Sequence, residues 1–181
     1  MSAQIFVVIG HMLGAGRFSW AEGVVRVHHG SGTDLEDTYT ERFWCRNHRW
    51  RVDRSDGISE SVHVGVESRV RVNGTFERGP GNGVGHLAAG KLLQPTNALI
   101  WGRPGEDWRP TGELDPVGDN KWRLWLERID GGYPEHTGYA DVEEISGIIH
   151  ELHTGFTTLT LESLATEDTA RRGETWLTLQ P

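Results

Sequence analysis

The sequence predicts an α+β fold made mainly of antiparallel β-strands, with a helix at the N-terminus and short helices near the middle of the chain. Apolar and polar residues alternate in many short runs, which is the period of a strand with one buried face. Asp56-Gly57 and Asn73-Gly74 separate such runs and favour hairpin turns. The 181 residues include 24 glycines and 8 tryptophans, which is more typical of strands and turns than of a helical bundle. We expect about eight or nine strands.

Residues 1–17 are predicted to contain a helix. Five apolar residues recur at the spacing of one helical face: Ile5, Val8, Ile9, Met12 and Leu13. Gly14 and Gly16 are expected to end the helix. The β-branched character of Ile5–Ile9 leaves a buried strand as the alternative. As a helix, the segment should pack its apolar stripe into the concave face of the sheet.

Residues 18–78 are predicted to form a first antiparallel meander of about five strands. The predicted strands lie at Val25–Val27, Thr38–Trp44, His48–Arg54, Val62–Val66 and Val70–Val72. In the third strand, Trp50 and Val52 are the apolar residues of the alternation, so they should face the core. The charged residues beside them should face the opposite, polar side of the sheet: Arg49, Arg51 and Asp53.

Residues 79–118 are rich in glycine and proline and are predicted to form a surface loop and short helices. The loop is expected at Gly79–Gly85. Short helical segments are expected at His86–Gln94 and Thr96–Trp101, on either side of Pro95. Gly102–Gly118 is predicted to be irregular, because prolines interrupt it.

Residues 119–181 are predicted to form a second β meander. Its expected strands are Trp122–Leu126, Tyr139–Glu143, Gly147–Leu152, Thr157–Leu164 and Thr175–Leu179. The whole chain, 1–181, is predicted to be a single domain, because its length is close to the usual size of about 150 residues.

Charge and cysteine content narrow the partners and the compartment. The formal net charge is −8, so the chain lacks the overall field that draws proteins onto nucleic acids or anionic membranes, and no nucleic-acid partner is expected. The arginines between Arg42 and Arg54 still form a local basic patch if they share a face. The single cysteine excludes an internal disulfide and fits a reducing compartment. No apolar run approaches the ~18 residues of a membrane span, and Ile5–Ile9 makes a poor signal peptide, so a cytoplasmic location is expected.

Two groups of residues resemble a cofactor site and a metal site, but neither has the context that such a site needs. No cofactor and no metal are therefore expected. Gly10, Gly14 and Gly16 imitate the glycine turn of a dinucleotide-binding fold, but no alternation of strands and helices follows them. His150 and His153 lie in a strand-like stretch at a spacing that directs them to opposite faces, so they do not form a metal site.

No catalytic group is predicted, and no enzyme is expected. The sequence contains neither a Gly-x-Ser-x-Gly motif nor a phosphate-binding loop. The clustered carboxylates fit charged turns and strand edges better than an acid–base pair: Asp34, Glu36, Asp37, Glu143 and Glu144. Cys45 lies beside Arg46 and near His48, which leaves two interpretations, a thiol of lowered pKa or a half-buried strand cysteine. The second is favoured.

The order of several motifs resembles a family of uncharacterised actinobacterial proteins, and the same layout is similar to the lipoprotein-carrier superfamily, which includes the LolA-like carriers. The segments that carry this resemblance are Phe43-Trp44, Arg49–Asp53, Asp56-Gly57, Trp108–Gly112, Trp122–Leu126 and Ala140–Ile149. The resemblance implies an antiparallel sheet curved into an unclosed β-barrel around helices. It also implies a cavity that takes acyl chains.

We therefore expect a non-enzymatic binding protein that holds an apolar or acyl-chain ligand in the concave face of the sheet. An apolar surface too large for one helix to cover would leave such a pocket. The expected ligand-binding residues are Trp50, Trp101, Leu124, Leu126 and Ile148. The alternative is a protein–protein interaction or accessory module, of host or phage origin, that uses the sheet surface and takes no small-molecule ligand.

Overall fold

The protein is described by a computed structural model that covers residues 3–16, 18–30, 37–46, 49–63, 67–72, 75–79, 84–130 and 138–167. Its helical elements are α1 (Ala3–Gly14), α2 (Ala88–Leu93) and a 3-10 turn (Pro95–Asn97). The strands are β1 (Trp20–His29), β2 (Asp37–Arg46), β3 (Arg49–Arg54), β4 (Ile58–His63), β5 (Glu67–Val72), β6 (Thr75–Gly79), β7 (Trp108–Gly118), β8 (Lys121–Arg128), β9 (Gly138–Glu143), β10 (Ile149–Thr154) and β11 (Thr157–Thr166).

Some of the predicted features fall outside these ranges. The Asn73-Gly74 turn, the strand Thr175–Leu179, the carboxylates of Asp34 and Glu36, and most of the loop Gly79–Gly85 lie outside the described residues.

The described strands form one antiparallel sheet in the order β6-β5-β4-β3-β2-β1-β11-β10-β9-β8-β7. Each meander pairs sequential neighbours, and β1 pairs with β11 to join the two meanders. The end strands β6 and β7 are not paired to each other within this order, so the sheet is not closed. The predicted fold class, a mainly antiparallel α+β fold with an unclosed sheet and an N-terminal helix, is confirmed. The described residues form eleven strands, against the eight or nine expected.

Strand β7 occupies part of the segment that was predicted to be irregular. Pro110 and Pro116 lie within it, and proline removes a backbone donor. Because β7 is an end strand, it needs to pair along one side only, and proline is tolerated there. Its register with β8 shifts between Pro110 and Leu114 and again between Pro116 and Gly118. The prediction was wrong because the prolines mark an edge strand rather than a loop.

Strand β6 was also missed, because the predicted meander stopped at β5. It is only five residues long and is the other end strand of the sheet. A strand this short carries too few alternating positions to give a sequence signal. The short central helices are present but shorter than expected, since α2 begins at Ala88 and the second helical segment is a single 3-10 turn.

Helix α1 forms where the helical spacing predicted it, and the alternative of a buried strand is wrong. Ile5, Val8 and Met12 are buried, and Ile9 packs partly against the core. Leu13 was expected in the same stripe but its side chain is 56% exposed. At about 100° per residue, Leu13 lies about 80° around the helix from Ile5, at the margin of the buried face.

Helix α1 approaches the turn before β10 closely. Gly147 has a φ of +68°, and a Cβ at this position would lie 2.2 Å from the carbonyl carbon of His11. A larger residue would be strained in its own backbone and would also push α1 away. The glycine therefore fixes the distance between α1 and the sheet.

The apolar core is one cluster that includes both helices and both meanders. Trp50 and Val52 of β3 are 4% and 1% exposed, and the Trp50 ring lies 6.3 Å from the ring of Phe43 between centroids. Arg49 and Arg51 are exposed on the opposite face, and Asp53 is half-buried there. The predicted assignment of the two faces of β3 is confirmed. No described helix is long and apolar enough to span a membrane.

Replacing Trp50 by alanine should lower the free energy of unfolding by about 3–5 kcal/mol, because it leaves a large cavity beside Phe43. Arg49→Ala, the matched control on the exposed face of the same strand, should change it by less than about 0.5 kcal/mol. Urea denaturation gives both values. It is followed by far-UV circular dichroism rather than by tryptophan fluorescence, because one variant lacks Trp50. A loss below about 1 kcal/mol for Trp50→Ala would contradict the core assignment.

Candidate functional site: the helix-covered face of the sheet

The two helices cover the same face of the sheet, here called the inner face. Helix α2 lies against β1, β2, β10 and β11, which are the central strands. Helix α1 lies against β7 and the 3-10 turn. The opposite surface of the sheet, here called the outer face, carries the alternate side chains of each strand.

Four of the five residues that were expected to bind a ligand lie in the inner-face core. Leu124 and Leu126 of β8 are fully buried, and Ile148 and Trp50 are nearly so. Trp101 is half-buried and packs against the margin of this cluster. The sheet thus joins residues from both meanders in one apolar region. Their role in binding a ligand stays a prediction.

Small residues on β9 shape the inner face beside Leu124 and Leu126. Leu124 pairs with Ala140, and Leu126 pairs with Gly138. A Cβ at Gly138 would lie 2.9 Å from the ring of Trp108, so that ring lies directly over the glycine backbone. Trp108, at the start of β7, is 8% exposed and extends this apolar surface to the end strand of the sheet. Trp108 was not among the site residues expected from the sequence.

Trp101 is held by hydrogen bonds rather than by packing alone. Its backbone N–H donates to the carboxylate of Glu106 at 2.7 Å, and its indole Nε1 donates to the carbonyl of Pro95 at 2.7 Å. Glu106 is buried and also pairs with Arg103, at 2.5 Å. The network fixes the loop between α2 and β7, so Trp101 has a defined position at the rim of the inner face.

Glu41 is a buried carboxylate on the inner face of β2. Its Oε2 accepts a hydrogen bond of 3.1 Å from the backbone N–H of Ala88, and the N–H of Ala89 also donates to it. These are donors at the start of α2 that have no partner within the helix. Glu41 therefore anchors α2 to the sheet. Burial raises the pKa of this carboxyl group above its usual value.

Further polar groups surround Glu41 at this corner of the inner face. Arg54 lies directly opposite Glu41 on β3, and its guanidinium lies 3.8 Å from the centroid of the Tyr39 ring. Arg54 also pairs with Asp56, while its buried Nε has no hydrogen-bond partner among the described residues. Burial lowers the pKa of Lys91 on α2, and the nearby Glu41 carboxylate opposes this effect.

Helix α1 is attached to the sheet through Glu144, in the turn after β9. His11 donates to the backbone carbonyl of Glu144, and Gln4 bonds to its carboxylate. The indole Nε1 of Trp122 donates to the same carboxylate at 2.7 Å. The hydrogen bonds from Trp122 and Gln4 lower the pKa of Glu144. From its sequence position, Glu144 fitted a charged turn better than an acid–base pair, and in the structure it also holds α1.

The outer face carries a row of polar and aromatic side chains across six neighbouring strands. In register, the row consists of Trp125, Tyr139, His153, Thr158, His28 and Thr38. Tyr139 stacks on His153 at 5.3 Å and donates to Glu151 at 2.5 Å. The Arg123 guanidinium lies 3.8 Å from the centroid of the Tyr139 ring and forms a two-fold ion pair with Asp141.

The groups in this row form hydrogen bonds and ring contacts with their neighbours. Burial and the bond to Glu151 raise the pKa of Tyr139 to about 12, and burial lowers the pKa of His153. Both rings thus stay neutral near pH 7. The row acts as a cross-strand brace on the outer face where the two meanders join.

The described residues contain no cluster of three or more His, Cys, Asp or Glu side chains placed to hold a metal ion. Cys45 is buried on β2, and burial raises the pKa of its thiol to about 11. A thiol of lowered pKa at this position is therefore wrong, and the interpretation as a structural strand cysteine holds.

No protein-family model matches the chain, and no curated protein matches it in sequence. Among solved structures, the fold is similar to that of MucB, with a TM-score of 0.48 and 16% sequence identity. That match covers 92% of this chain and 60% of MucB, so the chain spans less than two thirds of MucB. The fold is also similar to that of the LolA superfamily protein NE2245 from Nitrosomonas europaea, with a TM-score of 0.42, 11% identity and coverage of 93% and 95%.

The second of these structures bears the superfamily name that the sequence resemblance predicted. The similarity concerns the fold alone, and at these identities no residue of either protein has an assigned counterpart in this chain.

Replacing Glu41 by glutamine should reduce the pH dependence of stability. Because the folded state raises the pKa of Glu41, its contribution is complete below the unfolded value of about 4.5 and is lost as pH rises through the folded value. The free energy of unfolding of the wild type should therefore fall above that pH, and Glu41→Gln should flatten this fall. Urea denaturation at a series of pH values tests it.

Two further variants complete this measurement. Glu41→Ala leaves the amide donors of α2 without an acceptor and should cost about 1–3 kcal/mol at low pH, where the contribution of Glu41 is complete, and less as pH rises. Glu113→Gln, on the exposed side of β7, should keep the wild-type profile. Identical pH profiles for the wild type and Glu41→Gln would contradict the raised pKa.

Proposed function

We propose that the protein is a non-catalytic binding protein that holds an apolar ligand, such as an acyl chain, between α1 and the inner face of the sheet. The observation that carries this proposal is the composition of α1. Its twelve residues include no charged side chain, and apolar residues lie on its exposed side as well as its buried side. Phe6, Val7 and Leu13 are 65%, 43% and 56% exposed.

The solvent side of α1 carries large apolar residues beside the polar Gln4 and His11, and exposed apolar surface of this kind normally has a partner. The exposed side of α1 would gain a partner if a ligand entered beside the helix or if the helix rolled on the sheet. The seat of α1 is itself apolar, since Leu124, Leu126 and Ile148 are buried in the same cluster as Ile5 and Val8. An acyl chain that displaced α1 would replace apolar contacts of the helix with apolar contacts of its own, so the net free-energy cost would be small.

The attachment of α1 supports a binding role that involves displacement of the helix. Its polar contacts with the rest of the described chain converge on Glu144, through Gln4 and His11. Gly14 and Gly16 lie at its C-terminal end, and glycines allow the backbone to change direction there. In this proposal Leu124, Leu126 and Ile148 form the floor of the site, Trp50 extends it under the first meander, and Trp101 lies at its rim.

The buried carboxylates support a non-catalytic function. Glu41 and Glu106 each accept hydrogen bonds from backbone N–H groups and so stabilise the helical layer. Groups engaged in this way are poorly placed to transfer protons to a substrate. The cytoplasmic location expected from the sequence remains a prediction.

A fluorescent fatty acid should bind saturably to the full chain and raise its melting temperature by mass action. Val8→Asp places a charge on the buried side of α1, favours the displaced helix and should tighten binding by about tenfold. Val7→Asp places a charge on the exposed apolar side of α1, which the ligand or the sheet would cover, and should weaken binding by about tenfold. Val117→Asp, at a similarly exposed valine of β7, is the matched control and should leave the affinity unchanged. Fluorescence titration measures the affinities, and far-UV circular dichroism confirms that each variant keeps its β-structure.

Two results would reject this site. Equal affinities of Val7→Asp and Val117→Asp would remove α1 from the binding site. The absence of saturable binding and of a thermal shift would remove the carrier function altogether and favour the interaction module.

A further inference from the structure

Five residues of β2 and β3 form a basic surface on the outer face, here called the arginine surface. They are Arg42, Trp44, Arg46, Arg49 and Arg51. In the register of the two strands, Trp44 pairs with Arg51 and Arg46 pairs with Arg49. Arg54, which belongs to the same stretch of sequence, lies on the inner face instead. The basic patch suggested by the sequence therefore exists, without Arg54.

Arg46 and Arg49 lie directly opposite each other on neighbouring strands and are both exposed. Like charges at directly opposed positions destabilise a sheet. Within the part of the chain that the structure describes, neither arginine forms an ion pair, and Arg42 forms none either. An anion seated between Arg46 and Arg49 would turn their repulsion into two attractive contacts.

Trp44 holds the other two arginines in place. The guanidinium groups of Arg42 and Arg51 lie 5.9 Å and 5.5 Å from the centroid of its ring. Asp53 fixes Arg51 further through an ion pair of 2.9 Å. Side chains restrained in this way lose less conformational entropy when they bind a partner. The arginine surface is thus prepared for planar, two-fold recognition of acidic groups.

The described acidic residues beside the arginine surface include Asp53, Glu22 and Glu167, and all three are half-buried. The Glu167 carboxylate accepts a hydrogen bond from the backbone N–H of Trp20, which pairs with Arg46. The exposed charges of the surface are therefore mainly positive, in a chain whose net charge is −8. A positive patch on an acidic protein fits a partner that brings negative charge locally rather than over its whole length.

We propose that the arginine surface is a docking site for an acidic segment of another protein, with aspartate or glutamate side chains received by Arg42, Arg46 and Arg49. Two features favour this partner over other anions. A nucleic acid would be repelled at long range by the net charge of the chain. A membrane would require exposed apolar side chains to insert, whereas guanidinium groups cover the ring of Trp44.

The proposal does not depend on the apolar ligand, because the two sites lie on opposite faces of the sheet. The test is fluorescence anisotropy with a short fluorescein-labelled peptide of alternating glutamate and serine, titrated with the full chain. Binding should be saturable and should weaken as salt is added. The double variant Arg46→Ala/Arg49→Ala should weaken it by about tenfold, equivalent to about 1.4 kcal/mol.

The matched control is Arg109→Ala/Arg128→Ala, which removes the same charge from β7 and β8, where these arginines pair with Glu127 and Asp130. It should change the affinity by less than about twofold, since exposed pairs are worth little and the site is distant. No saturable binding, or an equal loss in both double variants, would overturn the proposal. Tighter binding of duplex DNA or of phosphatidylglycerol vesicles, lost in Arg46→Ala/Arg49→Ala, would also overturn it.

Discussion

The pairing of β1 with β11 is the constraint on which the rest of the structure depends. Strands far apart in sequence meet there over almost their full length, from Ala21 opposite Thr166 to His29 opposite Thr157. Without this ladder the two meanders would be separate sheets, each with an apolar face to cover. Because they are joined, one helical layer covers both, and Trp50 of the first meander shares a core with Leu124 of the second. The backbone at Gly23 also depends on this pairing, since a Cβ there would lie 2.1 Å from the carbonyl oxygen of Ser163.

The helical layer is held to the sheet by a few carboxylates as well as by apolar contacts. Glu41 binds the first amides of α2, and Glu144 holds α1. The two attachments differ in their surroundings. Glu41 is buried, so ionising it is unfavourable and its pKa is raised, whereas Glu144 is only half-buried and its pKa is lowered by its donors. The polar attachment of α2 therefore lies within the core, whereas that of α1 lies at a residue that solvent partly reaches, and the proposed exchange of ligand is assigned to α1 for this reason.

The sequence predicted those elements whose residues follow one clear period. The alternation in β3 correctly assigned Trp50 and Val52 to the core, and the helical spacing found α1. Strand β7 was missed because proline is a strong signal against a strand in the interior of a sheet but a weak one at its edge. The residues proposed for the site were found as apolar positions, and most of them lie together in the core. The role of Glu41 was not predicted, because two signals conflict. It shares one face of β2 with Tyr39 and Phe43, which indicates burial, but its charge is typical of the surface.

Cys45 gives the protein a built-in chemical reporter. It is the single cysteine of the chain, it lies on the inner face opposite Trp50 and Ala21, and it is 7% exposed. A thiol with a pKa of about 11 reacts slowly with alkylating reagents while the fold is closed, and at an ordinary rate once the surrounding strands separate. The labelling rate at this one sulfur therefore counts openings of the first meander, in the native protein and without any substitution. The same reagent would not register a movement confined to α1, so the two kinds of motion can be timed separately.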